Sequence, residues 1–158
     1  MAMSNINWGR VILGGLVAGM LINVVEFLFN DVVLAKDWEV VMRAPGRPPI
    51  VGSQIAVFFI WSFLIGIFAV WLYAAIRSRY GDGPKTAIYV GSFVWGLSYL
   101  LTSVTPFLLN LYSRRFFDIG LTLGLLEVLL ATLIGAYLYH PRVPETCLRP
   151  AQATEAFE

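Results

Sequence analysis

The sequence has one cysteine, Cys147, and one histidine, His140, among its 158 residues. A single cysteine excludes an intramolecular disulfide and a CxxC redox pair. A single histidine excludes bis-histidine haem ligation and a multi-histidine metal site within one chain. We therefore predict no cofactor and no metal site. A bound lipid or pigment is compatible with the composition, and His140 is then either a single axial ligand to a pigment or a solvated interfacial side chain.

Charge is also scarce, with 13% charged residues and a formal net charge of +1. The chain has no basic field or motif for nucleic acid, so we exclude nucleic acid as a partner. Hydrophobic residues make up 58% of the chain, and the mean hydropathy is +0.74. These values exceed those of a soluble domain of this size, so we predict an integral membrane protein.

Four long apolar runs predict an all-α polytopic membrane protein with four transmembrane helices in an antiparallel bundle. The predicted helices cover residues 11–34, 55–76, 86–111 and 119–139, within one transmembrane domain of residues 1–140. The polar, proline-containing remainder, 141–158, is predicted to be a mobile tail. Ser53 and Asp118 are candidate N-caps for the second and fourth helices, and Pro106 predicts a kink in the third.

The connection between the first two helices predicts a short interfacial helix followed by an extended segment. In the run KDWEVVMR, Glu39 and Arg43 stand four residues apart, and the stiff sequence APGRPP follows.

Six Lys/Arg lie on the side of the N-terminus, the second loop and the C-terminus, against five on the other side. This difference predicts that both termini are cytoplasmic.

A carboxylate interrupts the first apolar run at Glu26 and the fourth at Glu127. Each shares a helix face with glycines, and the spacing from Gly19 to Glu26 equals that from Gly120 to Glu127. Such faces meet protein rather than lipid, because small residues let helix backbones approach closely. The predicted helix-packing glycines are Gly15, Gly19, Gly120 and Gly124.

Polar residues of all four helices fall near one depth, and we predict an intramembrane polar site there. Its members are Glu26, Glu127, Asn23, Asn30, Ser62, Thr102 and Ser103. Two carboxylates close together in a low dielectric cannot both ionise cheaply, so at least one is expected to carry a proton at neutral pH. Such a pair can exchange a proton or bind a cation.

Two structural readings compete with this site. A protonated glutamate that bonds neighbouring polar groups is ordinary interhelical hydrogen bonding. Alternatively, if the first helix ends at Asn30, Glu26 reaches the membrane interface and is solvated there. Because the face around Glu26 offers asparagines but no aromatic cage, we expect Glu26→Gln to be nearly silent.

The four spans, the segment LAKDW at 34–38 and the small-residue-rich last helix together resemble bacterial four-span membrane families with no assigned function. This resemblance implies a bacterial inner-membrane protein. The carboxylate in the first helix also resembles the small multidrug-resistance transporters, which implies that Glu26 exchanges protons for cations. The chain departs from that pattern in its longer first loop, its second carboxylate and its tail.

We expect a non-enzymatic accessory or scaffold subunit, in contact with lipids and with other membrane subunits or with itself. Lipid-facing aromatic residues of the second helix would form the association surface, among them Phe58, Phe59, Trp61, Phe63 and Trp71. The alternative is a small proton-coupled transporter or channel that uses Glu26 and Glu127.

Overall fold

The computed structural model describes residues 6–43 and 51–139 of the chain. Within these ranges the protein is all-α, and four of its helical stretches are long and apolar enough to cross a membrane. It is therefore a multi-pass membrane protein, as the apolar runs predict. The extended segment APGRPP, His140 and the predicted tail lie outside the described residues.

The first span is made of α1, Trp8–Leu28, and a π-helical turn, Phe29–Val33. Asn7 caps it, because its side chain accepts from the backbone N–H of Arg10 at 3.4 Å. The π-helical turn closes when the Leu34 N–H donates to the carbonyl of Phe29 at 2.9 Å. Because the helix continues to Val33, Glu26 is more than a turn from its end, which argues against the interfacial placement.

The predicted short helix after the first span is α2, Ala35–Met42, and Glu39 forms an ion pair with Arg43 on its exposed side. The second span is α3, Gly52–Tyr80. The prediction that Ser53 caps it is wrong, because the helix already begins at Gly52. The side chain of Gln54 instead accepts from the Val51 N–H at 3.0 Å.

The third span has three parts: α4, Pro84–Trp95; a π-helical turn, Gly96–Leu100; and α5, Leu101–Leu108. Pro106 lies inside α5, and the π-helical turn lies upstream of it in the same span. Hydroxyls satisfy carbonyls around the π-helical turn, where the α-helical ladder is disturbed. Ser98 donates to the Val94 carbonyl at 2.7 Å and Thr102 to the Ser98 carbonyl at 2.6 Å.

The fourth span is α6, Arg114–Leu138. The prediction that Asp118 caps it is wrong. Ser113 is the N-cap, and its hydroxyl accepts from the Phe116 N–H at 3.1 Å. The helix therefore begins at Arg114, four residues before Asp118, and Arg114 and Arg115 lie in its first turn.

The core is a close antiparallel packing of α1 on α3 and α6, with α4 on the other side of α6. Gly15 and Gly19 face Gly66, where a Cβ would lie 2.5 Å from the carbonyl oxygen of Gly15 and 2.5 Å from the amide nitrogen of Gly19. Only a glycine permits backbones to come so near. On the other side of α1, a Cβ at Gly14 would lie 2.6 Å from the carbonyl oxygen of Gly135.

The two predicted glycines of the fourth helix have different surroundings. A Cβ at Gly124 would lie 2.5 Å from Cδ1 of Tyr99, so this glycine makes room for an aromatic ring. A Cβ at Gly120 would meet nothing within 4 Å. Gly120 therefore makes no close helix contact within the described part of the chain.

Candidate functional site

The two intramembrane carboxylates meet at one side chain, Tyr99. The Tyr99 hydroxyl donates to Oε1 of Glu26 at 2.7 Å and lies 3.3 Å from Oε1 of Glu127. Glu26 comes from α1, Glu127 from α6 and Tyr99 from the π-helical turn of the third span. Three of the four spans thus contribute to one polar centre.

One hydroxyl hydrogen faces two carboxyl groups at this centre. A tyrosine hydroxyl carries one hydrogen, which the shorter contact directs to Glu26. The contact between Glu127 and the same hydroxyl is then fully satisfied when the Glu127 carboxyl carries a proton and donates it to the Tyr99 oxygen. Glu127 is only 3% exposed, whereas Glu26 is half-buried. Glu127 is therefore both the more buried carboxyl and the one with the longer contact to the hydroxyl.

These carboxylates open into a cavity of about 170 Å³ between α1, α2, the π-helical turn at Tyr99 and α6, which we call the acidic cavity. Six of its 15 lining residues are aromatic. They are Phe29, Trp38, Tyr99, Tyr112, Phe116 and Phe117. The expectation that Glu26 lacks aromatic surroundings is therefore wrong, because rings from distant parts of the chain converge on it.

Helix α2 lines one side of the acidic cavity through Trp38. The Trp38 indole N–H donates to Oδ1 of Asn30 at 2.6 Å, and the Trp38 ring meets that of Phe116 edge-on at 5.2 Å between centroids. Arg115 binds Asp37 at 2.8 Å. Since the Asp37 side chain is only 12% exposed, this ion pair holds α2 against the start of α6.

Two further recesses adjoin the acidic cavity. An outer pocket of about 680 Å³ lies between α2 and the α5–α6 connection, and Tyr112 and Phe116 line both it and the acidic cavity. A lateral groove of about 500 Å³ lies between α1 and α3. Glu26, Asn30 and Trp38 line both this groove and the acidic cavity. Glu26 therefore lies beside both the acidic cavity and the lateral groove.

The predicted polar site is only partly assembled. Asn30 and Ser103 line the acidic cavity with the two glutamates, and the Asn30 amide donates to the Glu26 carbonyl at 2.8 Å. Asn23 lines the lateral groove and donates to the carbonyls of Gly19 and Phe59, at 3.0 and 3.3 Å. Asn23 therefore links α1 to α3 at the mouth of the groove.

Ser62 and Thr102 lie away from the acidic cavity. Ser62 is buried and donates to the carbonyl of Phe58 in its own helix at 3.1 Å. Thr102 is exposed and lines a separate groove between α3 and the third span. Neither side chain lines the acidic cavity, so the structure does not bring them to the two glutamates.

Tyr99 and Trp38 are the site residues that the sequence pattern missed. Tyr99 lies in a π-helical turn, and such turns are frequent at functional sites. Asn30 lies in the other π-helical turn of the described chain. The sequence offers no signal for the turn at Phe29–Val33, which contains no proline. The proline of α5 is the only sequence signal near Tyr99, and it lies seven residues further on.

Comparison with models of protein families, with curated proteins and with solved structures found no match. The described side chains contain no cluster of three or more His, Cys, Asp or Glu that could hold a metal ion. The candidate site must therefore be interpreted from its own chemistry, which combines two carboxylates, one bridging hydroxyl and an aromatic wall.

Proposed function

We propose that the protein binds a small organic cation in the acidic cavity and exchanges it for a proton, as part of a small proton-coupled transporter. The observation that carries this proposal is the single hydroxyl shared by Glu26 and Glu127 inside an aromatic wall. Carboxylates supply charge for a cation, and aromatic faces attract it through their quadrupoles. No covalent chemistry is required, so the proposal is for a protein that is not an enzyme.

Proton exchange follows from the way the three side chains share hydrogens. A cation between the carboxylates stabilises the ionised form of both. The proton of Glu127 then leaves as the cation binds, and it returns when the cation departs. Tyr99 connects the two carboxylates, so a proton on one can be passed to the other through its hydroxyl.

The test is proton release from the full chain in neutral-lipid nanodiscs, measured with a pH indicator in weak buffer while tetramethylammonium is added. The wild type should release a proton for each cation bound. Glu127→Gln and Glu26→Gln should each abolish the release while the helical content is retained. Glu39→Gln is the matched control, because Glu39 pairs with Arg43 on the exposed side of α2. Wild-type protein that binds no cation and releases no proton would overturn the proposal.

An accessory or scaffold subunit is the second candidate, and a different observation favours it. Every residue from Gly52 to Trp61 of α3 is exposed in the single chain. Phe58, Phe59 and Trp61 belong to this stretch, as the sequence predicts for an association surface. Phe63 and Trp71 lie outside this stretch and are half-buried. Phe63 packs against Gly19, and Trp71 packs against Phe68. Stoichiometric co-purification with a larger membrane assembly would support this candidate.

We further propose a bacterial inner-membrane location with both termini cytoplasmic, on the resemblance and the distribution of Lys and Arg. Cys147 is the only cysteine of the chain, so a membrane-impermeant maleimide reports the side of the C-terminal segment directly. Intact cells should protect Cys147, and permeabilised cells should not. Labelling of intact cells would reverse the orientation.

A further inference from the structure

We infer that the outer pocket binds the phosphate group of an anionic phospholipid, with Arg114 as the cation that holds the phosphate and the apolar wall of the pocket against the glycerol region of the lipid. The pocket measures about 680 Å³ and lies between α2 and the α5–α6 connection. Neither Glu26 nor Glu127 lines it, so this inference is independent of the proposed function.

The outer pocket lies at the ends of the spans, where lipid phosphates are found. The third stretch that could cross a membrane ends at Leu108, and the fourth begins at Arg114. The first such stretch ends at Val33, and α2 follows it on the same side of the antiparallel bundle. Residues of α2 and of the 109–113 connection therefore meet where the hydrocarbon core gives way to the head-group region.

The size and the wall of the outer pocket suit an amphiphile. Pockets for small molecules typically measure about 300–1,000 Å³, and this pocket lies within that range. Val40 is 75% exposed and Leu111 is 44% exposed, so part of the apolar wall is open to the surroundings. The glycerol region and first chain carbons of a lipid would remove this surface from water. Six of the ten lining residues are apolar or aromatic: Val40, Val41, Phe107, Leu111, Tyr112 and Phe116.

The carboxylate of the outer pocket is already paired. Among the described residues that line the pocket, Asp37 is the one carboxylate and Arg114 the one cation. Oδ2 of Asp37 accepts from Arg115 at 2.8 Å, and its Oδ1 lies 3.5 Å from the Ser113 hydroxyl. The ammonium of a zwitterionic head group would therefore have to displace Arg115 to reach this carboxylate. An anionic head group meets no such competition.

Arg114 is placed to change partner. Its Nε lies 3.6 Å from Oδ2 of Asp118, and the two side chains are 88% and 61% exposed. That distance exceeds the usual length of a hydrogen bond, and exposed pairs of this kind are weak. Asp118 lies one turn further along α6 and does not line the pocket. A guanidinium presents its N–H groups in a planar fork that matches a phosphate, and the Asn110 amide in the same wall can donate a further N–H.

The test is native mass spectrometry of the full chain in a neutral detergent, with dioleoylphosphatidylglycerol or dioleoylphosphatidylcholine added. The wild type should bind the anionic lipid more tightly. Arg114→Gln should weaken that binding at least about tenfold, the factor expected for a hydrogen bond to a charged group, and should leave phosphatidylcholine unchanged. Arg43→Gln is the matched control and should behave as the wild type. Arg43 also belongs to an exposed pair, with Glu39 four residues away, but it does not line the pocket.

A second pair of variants tests the space of the pocket rather than its charge. Leu111→Trp should weaken phosphatidylglycerol binding several-fold, because the larger ring occupies part of the pocket. Leu109→Trp adds the same ring two residues away, at an exposed position outside the described lining, and should match the wild type. Glycerol phosphate, which has the phosphate but no acyl chains, should not compete with the lipid.

Several results would overturn this inference. Equal losses in Arg114→Gln and Arg43→Gln would mean that general surface charge explains the binding. Unchanged affinity in Leu111→Trp would mean that the lipid lies outside the pocket, and equal wild-type affinity for the two lipids would exclude recognition of an anionic head group. Competition by glycerol phosphate would assign the site to a soluble phosphate ester instead. Circular dichroism checks that each variant keeps its helical content. No variant alters Glu26 or Glu127, so these failures leave the proposed function standing.

Discussion

The indole N–H of Trp38 donates to Oδ1 of Asn30 at 2.6 Å, and the Asn30 amide donates in turn to the backbone carbonyl of Glu26 at 2.8 Å. This chain of bonds connects α2, which lies over the acidic cavity, to the backbone that carries one of its carboxylates. A ligand that displaces Trp38 must therefore also disturb the π-helical turn that holds Asn30. The position of α2 and the state of the site are physically linked.

The Arg115–Asp37 ion pair should hold α2 in place, so Arg115→Gln should loosen α2. Arg115 keeps 59% of its side-chain surface exposed, and solvent screening limits such a pair to about 1 kcal/mol. This corresponds to about fivefold faster hydrogen exchange in the amides of Ala35–Met42. Arg114→Gln is the control, since Arg114 is 88% exposed and pairs with Asp118 at 3.6 Å. Equal exchange in both variants would mean that aromatic packing alone holds the helix.

Gly124→Ala should displace Tyr99 and disable the site. The added methyl group would lie 2.5 Å from a ring carbon of Tyr99, and relief of such overpacking costs about 1–3 kcal/mol. Cation-linked proton release should also fall in Gly124→Ala. Gly120→Ala should leave the free energy of unfolding unchanged or raise it by up to about 1 kcal/mol, because its methyl group has no close neighbour and alanine favours the helix. Thermal unfolding in detergent measures the stability of both variants, and a pH indicator measures their proton release. Full proton release from Gly124→Ala would contradict the role assigned to the ring.

Glu26 and Glu127 should be energetically coupled through Tyr99. A double-mutant cycle with Gln at both positions should give an interaction energy of about 0.5–3 kcal/mol, the range for residues in one network. Repeating the cycle in Tyr99→Phe, which removes the shared hydroxyl but keeps the ring, should reduce that energy. Tyr89→Phe is the background control, since Tyr89 is 64% exposed on α4. Additive effects in the wild-type background would rule out the shared centre.

Gly66→Ala should be among the most damaging single methyl additions in the described part of the chain. Its Cβ would meet backbone atoms of Gly15 and Gly19, which cannot rotate away as a side chain can. We expect a loss of at least about 1–3 kcal/mol and separation of α1 from α3. Gly52→Ala adds a methyl group to the same helix in open space and should have little effect. Unfolding in detergent mixtures, followed by far-UV circular dichroism, distinguishes the two variants, and similar midpoints would contradict the close packing.

The spans were predictable from the sequence because a transmembrane helix requires only an apolar run long enough to cross the hydrocarbon core. Each of the four runs meets that length by itself. The α1 glycines were predictable for a similar reason: Gly15 and Gly19 lie one turn apart and so share a face whatever their partner. The helix ends were less predictable. Asp118 is of a residue type that favours N-caps, but Ser113 comes earlier in the chain. Its hydroxyl accepts from the Phe116 N–H, so α6 starts there.

The sequence by itself determined that two carboxylates lie inside membrane helices on faces that carry glycines. Only the tertiary structure decided that they share Tyr99, and that Trp38, Tyr112 and Phe116 line the cavity beside them. The reason is that helical periodicity specifies directions around one axis, whereas a site depends on the rotations of several helices about their own axes. The two π-helical turns change those rotations locally, which brings Asn30 and Tyr99 to the acidic cavity. Ser62 and Thr102, at a similar predicted depth, do not line it.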